Sequence, residues 1–175
     1  MVQEAVRGDS PAITELYERY WNRAYSLART VVGHHEDAED VTQESMIVAL
    51  DRLEECARPH SFGGWLMAIV KNRSLNLVRS RTVREADALP HDTPDTFPLP
   101  DRAAAISELR VKLNRELGAL SQAKRMVLLL HDLEGFRHRE ISDILGMRCG
   151  SVRSALSYAR RDLRQPMAAY HDGRT

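Results

Sequence analysis

The stretch FRHREISDILGMRCGSVRSALSYARRDL, residues Phe136 to Leu163, decides the fold class of this chain. Ile141, Ile144 and Leu145 put an apolar stripe on a short first helix, because residues three and four apart share a face. Gly146 follows where a left-handed residue ends a helix without steric cost. After the bend at Met147 to Gly150, Ser151 is expected to cap a second helix. Val152, Leu156, Ala159 and Leu163 form its apolar stripe, while Arg153, Ser154, Ser157, Arg160, Arg161 and Arg164 point elsewhere. This is the pattern of a helix-turn-helix, whose second helix enters the DNA major groove. The same pattern also describes a helical hairpin with a solvated basic face.

Working outward, the chain has 175 residues and no net formal charge, with 43% hydrophobic residues. That composition suits one domain or two small ones. The charge is unevenly placed. Residues 1–80 carry 9 Lys/Arg against 12 Asp/Glu, net −3; residues 81–103 carry 3 against 5, net −2; residues 104–175 carry 13 against 8, net +5. The basic excess sits with the helix-turn-helix, where phosphate neutralisation is useful, and the acidic front half is shaped for another kind of partner. Cys56 and Cys149 match no metal spacing and are expected to be free thiols in a reducing cytosol. The start MVQEAVRGDS has neither the basic beginning nor the apolar core of a signal peptide, and no apolar run is long enough to span a membrane. A cytoplasmic protein without membrane insertion is expected.

Periodicity predicts helices throughout. Val2 to Arg7 is a short one, stopped at Gly8. Ser10 as cap and Pro11 at the first helical position start a long amphipathic helix with Ile13, Leu16, Tyr17, Tyr20, Ala24, Leu27, Ala28 and Val31 in register, up to Gly33. Its aromatic cluster, Tyr17, Tyr20, Trp21 and Tyr25, is expected in the core. Glu36, Asp37, Glu39 and Asp40 crowd the next helix start, where the dipole favours carboxylates. That helix shows Asp40, Gln43, Glu44 and Asp51 on one side, either a solvated stripe or a docking face for a basic partner. Pro59 breaks the chain and Ser61 is expected to cap a third helix, with Phe62, Trp65, Leu66, Ile69 and Val70 buried. Lys71, Asn72, Arg73, Asn76, Arg79 and Arg81 gather in its C-terminal half. Cations favour that end in any helix. Mixed with Asn, they also suit a nucleic-acid backbone with an unstacked base.

Pro90, Pro94, Pro98 and Pro100, among Asp92, Asp95 and Asp101, mark a stiff, acidic linker. Beyond it, Ile106, Leu109, Leu113 and Leu117 share a stripe ended by Gly118. Ser121 is expected to cap a helix carrying Val127, Leu130 and Leu133 up to Gly135. The expectation is an all-α protein of two small helical domains joined by a Pro/Asp-rich linker, the second a four-helix unit containing the helix-turn-helix. The boundaries fall at 1–81, 82–103 (linker), 104–165 and 166–175 (tail).

Three segments, ELYERYWNRAYSLARTVVGHHEDAEDVTQES, SFGGWLMAIVKNRSLNLVRSR and LSQAKRMVLLLHDLEGFRHREISDILGMRCGSVRSALSYARRDL, closely resemble the extracytoplasmic-function (ECF) group of bacterial RNA polymerase sigma factors, two-domain type. The resemblance covers nearly the whole chain outside the linker and tail, and the order and spacing of the pieces make it specific. It implies sigma-2-like and sigma-4-like domains and an alternative sigma factor. Such a protein binds core RNA polymerase, directs it to promoters through −35 and −10 elements, and helps open the DNA. It implies no enzymatic activity, no cofactor and no metal.

Carried over residue by residue, the resemblance assigns Asp37, Asp40, Gln43 and Glu44 to a basic coiled coil of the largest polymerase subunit. It assigns Arg58, His60, Ser61, Lys71, Asn72, Arg73, Asn76 and Arg79 to the single-stranded −10 element. Arg148, Ser151, Arg153, Ser154, Ser157, Tyr158, Arg160 and Arg161 fall on the duplex −35 reader, with Trp65 in the core. Ala155 and Tyr158 replace longer basic residues common in relatives, Cys149 stands in the turn, and Asn76 occupies a position often Asp. The family further implies an anti-sigma factor that holds the protein, at the membrane in some cases, and a nucleoid location when polymerase-bound.

Two rivals differ in class. A free-standing helix-turn-helix regulator would bind duplex operator without polymerase, leaving the acidic face unexplained. An enzyme would need the Asp/Glu cluster to converge with His34, His35 or His60 in a pocket.

Overall fold

A computed structural model of the chain describes residues 1–56, 61–85 and 104–172. Arg58, His60 and the linker residues Pro90 to Asp101 lie outside the described residues. Eight α-helices are described: α1 Val2–Val6, α2 Ser10–Val32, α3 His35–Asp51, α4 Phe62–Glu85, α5 Ala104–Ala119, α6 Gln122–Leu128, α7 His138–Leu145 and α8 Cys149–Asp172. A 3-10 turn covers Leu53–Glu55, and a π-helical turn, Leu129–Leu133, continues α6. The fold is all-α, in two helical units, α1–α4 and α5–α8. α4 runs four residues past 81, and α8 runs through 165 to Asp172.

In the first unit α2 lies against both α3 and α4. Asp9, one residue earlier than expected, is the α2 cap: its carboxylate accepts the Ala12 N–H at 3.1 Å. A charged oxygen is the stronger acceptor and is favoured by the helix dipole, so Ser10 joins the helix as its first residue. Gly33, at φ 83, closes the other end by donating to the Arg29 carbonyl. Leu16, Leu27, Met46, Phe62, Leu66, Met67 and Val70 are fully enclosed and form the core. The aromatic cluster is less buried than its periodicity suggested. Tyr17 is exposed and stacks on Trp21 at the surface, while Tyr20 and Tyr25 are half-buried.

α4 passes close to α2 at Gly63. A Cβ there would sit 2.8 Å from Cε1 of Tyr20, so glycine leaves the room that the Tyr20 ring occupies between the two helices.

In the second unit Val127, Leu130, Ile141, Ile144, Val152, Leu156 and Ala159 are buried. Gly146 is left-handed at φ 66 and ends α7 as expected. Ser142 closes the corner twice: its carbonyl accepts the Met147 N–H at 3.1 Å, and its hydroxyl donates to the Met147 carbonyl at 2.5 Å. α8 then begins at Cys149 and not behind a Ser151 cap. The Arg148 carbonyl already accepts the Val152 N–H at 3.1 Å, which places Ser151 inside the first turn with an exposed side chain.

Leu133 is a second correction. Its spacing puts it in the stripe with Val127 and Leu130, yet it is 75% exposed. The widened turn, in which Glu134 donates to the Leu129 carbonyl at 3.0 Å, adds a residue to the ladder and rotates Leu133 out of register.

The two units share one contiguous apolar core. α7 rests on the N-terminal part of α4, where the Gly64 backbone faces Ile144 and Phe136. α6 lies against α2, and Gln122 Nε2 donates to the Val31 carbonyl at 3.2 Å. Arg23 reaches across to Glu134, donating to its carboxylate and, at 2.6 Å, to its carbonyl. The guanidinium also lies over two rings, Tyr20 at 5.5 Å and Phe136 at 5.2 Å.

Candidate functional site

The acidic face of α3 is real but partly occupied. Asp40, Gln43 and Glu44 are exposed, as their spacing requires. Asp37 is half-buried and paired with Arg81 of α4. Glu44 Oε2 accepts from Arg73 Nη1 at 2.6 Å, also across to α4. The sequence reading missed Ile47, half exposed one turn after Gln43 and Glu44. Its i+3 and i+4 spacing from them was the available signal, since an apolar residue amid acidic ones on an exposed face suits a partner better than water.

α4 carries Asn72, Asn76 and Arg79 on its exposed surface, spaced four and three residues apart and therefore on one face. Lys71 and Arg73 are half-buried, the latter turned towards α3. Ser61, exposed, begins the helix at the edge of the cleft between the two units. Trp65 is only half-buried and lines that cleft, where Arg137, Arg139, Glu140 and Asp143 of the α7 end face it.

Arg148, just before α8, and Ser151, Arg153, Ser154 and Ser157 on it are exposed to solvent. Arg160 and Arg161 are also exposed, yet each is engaged. Arg160 grips Asp132 with two nitrogens, Nε to Oδ2 at 3.0 Å and Nη2 to Oδ1, and comes within 3.3 Å of His131 Nδ1. The Arg160 guanidinium holds the Asp132 carboxyl below its ordinary value against the opposing pull of burial, with His131 adding to the effect. The same hydrogen bond raises Arg160. Arg161 lies 4.9 Å from the Tyr158 ring and 3.3 Å from Asp162. Lys124, from α6, donates to Asp162 at 2.7 Å and sits 5.8 Å from the same ring. That bond chiefly lowers the Asp162 carboxyl, with Arg161 contributing.

Lys124 and Ser121 join Arg148, Ser151, Ser154 and Tyr158 around a shallow groove along α8. Neither was legible as a site residue, because only packing of α6 on α8 brings them there. Half-exposed cations beside hydroxyl donors on one face suit a phosphate backbone, and a row of Arg and Ser on a helix suits base edges.

Among the described residues no group of three or more His, Cys, Asp or Glu is placed to hold a metal ion. No described helix is long and apolar enough to cross a membrane. Cys56 is buried and Cys149 partly exposed, and neither forms a disulfide.

Residues 16–84 match the family model for sigma-70 region 2, and residues 110–163 match that for sigma-70 region 4. The chain belongs to the sigma-70 family, in its ECF group. It is 34% identical over 163 residues to the ECF RNA polymerase sigma factor SigE of Mycolicibacterium smegmatis, covering 91% of this chain and 63% of that protein. It is 28% identical to the ECF RNA polymerase sigma-E factor of Salmonella typhimurium, covering 91% of this chain and 88% of the relative. The sigma factor RpoE solved in complex with the anti-sigma factor NepR, from Bartonella quintana, superposes with a TM-score of 0.78 over 89% of this chain and 96% of that one, at 20% identity. CnrH, solved with the cytosolic domain of CnrY, gives 0.67 at 25% identity over 96% of this chain and 95% of that one. In sigma terms, the region 2 match runs from within α2 through α3 to the last turn of α4, and the region 4 match from within α5 to within α8.

Proposed function

We propose that this chain is an alternative sigma factor that joins core RNA polymerase, selects promoters through −35 and −10 elements and assists DNA opening. Sigma factors are transcription initiation factors, and the bond-making chemistry belongs to the core enzyme. The observation carrying the proposal is the ordered pair of matches, region 2 then region 4, on a chain that exposes Arg148 just before α8 and Ser151, Arg153, Ser154 and Ser157 on its first turns.

The roles follow from chemistry. Asp40, Gln43 and Glu44, with Ile47 among them, form an acidic face with an apolar centre for a basic coiled coil of the largest polymerase subunit. Asp37 supports that face through Arg81. Asn72, Asn76 and Arg79, with Ser61, Lys71 and Arg73 and the sequence neighbours Arg58 and His60, hold single-stranded −10 bases and their backbone. Arg148, Ser151, Arg153, Ser154, Ser157 and Tyr158 read duplex −35 DNA, with Lys124 on phosphate. Arg160 braces that reader through Asp132, and Arg161 stays on the DNA side of α8 beside Tyr158. The domains read at 1–81 and 104–165 act as the two modules, and two weak readers joined on one enzyme give a selectivity neither has alone. Relatives solved with NepR and CnrY support an anti-sigma partner for this chain, which would hold it away from the nucleoid, at the membrane or in the cytoplasm.

Transcription by purified core polymerase on a random promoter library tests the proposal. The intact chain is expected to impose one pair of motifs at one spacing. A variant with Asp40→Lys and Glu44→Lys is expected to lose core binding while keeping its helical circular dichroism. Tight binding to duplex operator without polymerase, and no start-site choice with it, would instead mark a free-standing helix-turn-helix regulator.

A further inference from the structure

We propose that Ala155 and Tyr158 read a thymine methyl, so that the −35 element chosen by this chain carries one thymine whose C5 methyl lies against the Tyr158 ring. The inference rests on the promoter-selecting role above and names a base which that role leaves open. Val152, Leu156 and Ala159 are the buried stripe of α8. The rest of that helix surface falls into two strips. Ser151, Ser154, Ala155 and Tyr158, spaced three, one and three residues apart, share one of them, and Arg153, Ser157, Arg160 and Arg164 share the other.

The first strip lines the shallow groove along α8, together with Ala123 and Lys124 of α6. The lining is mostly carbon, from Ala123, Ala155 and the Tyr158 ring, while Arg148 and Lys124 supply cations and Ser151 and Ser154 hydroxyls. Ala155 is half-buried and Tyr158 is 48% exposed, so the ring is the part of this carbon surface that a partner meets first. The cations suit phosphates, which position DNA without reading it. Carbon suits an apolar group, and of everything that base pairs show in the major groove only the thymine C5 methyl is apolar. Guanine O6 and N7 call for paired donors, which neither an alanine nor a phenol ring supplies.

The ring is set before DNA arrives. Arg161 Cζ lies 4.9 Å from its centroid and Lys124 Nζ 5.8 Å, and both cations bond Asp162, at 3.3 and 2.7 Å. Neighbours tied to one carboxylate restrict where the ring can go, so little freedom is lost when a base edge packs on it. Tyr158 also stands about two turns after Ser151, in the N-terminal half of α8, and a helix-turn-helix reads bases from that end of its second helix.

The test uses the full-length chain joined to core polymerase, on a promoter selected from a random library. Each thymine of its −35 element, on either strand, is replaced in turn by deoxyuridine, which removes the methyl and nothing else. Competition binding reads affinity, and circular dichroism reads the folding of Tyr158→Ala and Tyr158→Phe. Wild type is expected to lose about fourfold at one thymine, the effect of one buried methyl. Tyr158→Phe is expected to keep that sensitivity, and Tyr158→Ala to bind thymine and uracil there alike. A wild type indifferent to every methyl overturns the proposal, as does a sensitivity that survives in Tyr158→Ala or vanishes in Tyr158→Phe. A chain that shows no −35 preference at all with core would sink the promoter-selecting role itself, whereas a selected −35 element without a methyl-sensitive thymine sinks this inference alone.

Discussion

Arg73 of α4 donates to Glu44 of α3 at 2.6 Å, so a cation on the helix proposed to hold −10 DNA is neutralised by a carboxylate on the face proposed to dock polymerase. Both side chains are substantially exposed, and such a pair contributes at most about 1 kcal/mol. A partner that takes Glu44 leaves Arg73 available to DNA.

Glu44→Gln is therefore expected to raise the affinity of the free chain for a single-stranded −10 oligonucleotide by up to about fivefold at low salt. It is also expected to weaken core binding. Fluorescence anisotropy with and without core measures both; an oligonucleotide affinity that falls would show that Glu44 does not restrain Arg73.

Asp132 supports Arg160, and its carboxyl lies below the ordinary range in the folded chain because Arg160 donates to it. A depressed folded value stabilises the protein above the unfolded pKa of about 3.9, and that contribution disappears as pH falls through the lower folded value. Asp132→Asn is expected to lower Tm at pH 7, and the gap from wild type is expected to shrink as pH falls below about 3.9. A gap that persists unchanged at the acid end would exclude the ion pair as its cause.

Gly63→Ala would place a methyl 2.8 Å from the Tyr20 ring, which also packs edge-on against Phe62 at 5.1 Å. The expected loss is about 1 to 3 kcal/mol, typical of overpacking, measured by urea unfolding. Tyr20→Leu in the same chain is expected to recover part of it, since a leucine can vacate the space that the ring fills.

On α8, Arg153 and Arg160 are expected to separate. Arg153 is exposed, and if it reads a guanine its change to Ala costs about 1 to 3 kcal/mol at one base position and relaxes preference there. Arg160→Ala is expected to lower Tm and weaken all −35 sequences about equally, because it loosens the brace to Asp132. Lys124→Ala is expected to reduce the salt slope of duplex binding by about one. Selection from a randomised −35 library distinguishes the three; loss of preference at one position in Arg160→Ala would reverse the assignment.

Features that depend on neighbours along the chain were legible before any coordinates. Gly33 and Gly146 end their helices in left-handed geometry because glycine alone does so without penalty, and Ile141, Ile144, Val152 and Leu156 are buried at the expected spacing. Local departures were small and had local causes: the stronger acceptor Asp9 displaced Ser10 as cap, and one extra residue in the π turn carried Leu133 into solvent. The exposed faces of α3 and α8 followed from the same periodicity.

By itself the sequence determined an all-helical chain in two units, the corner of the helix-turn-helix, and the side of each helix that stays polar, since those properties repeat within a few residues. Only the tertiary structure decided which charges remain free. Arg73 meets Glu44 across 29 positions, Arg160 meets Asp132 across 28, Lys124 meets Asp162 across 38, and Arg23 meets Glu134 across 111. A helical period of 3.6 residues carries no information at those separations, so the pairing of distant side chains, and with it the docking of one unit on the other, is set by packing alone.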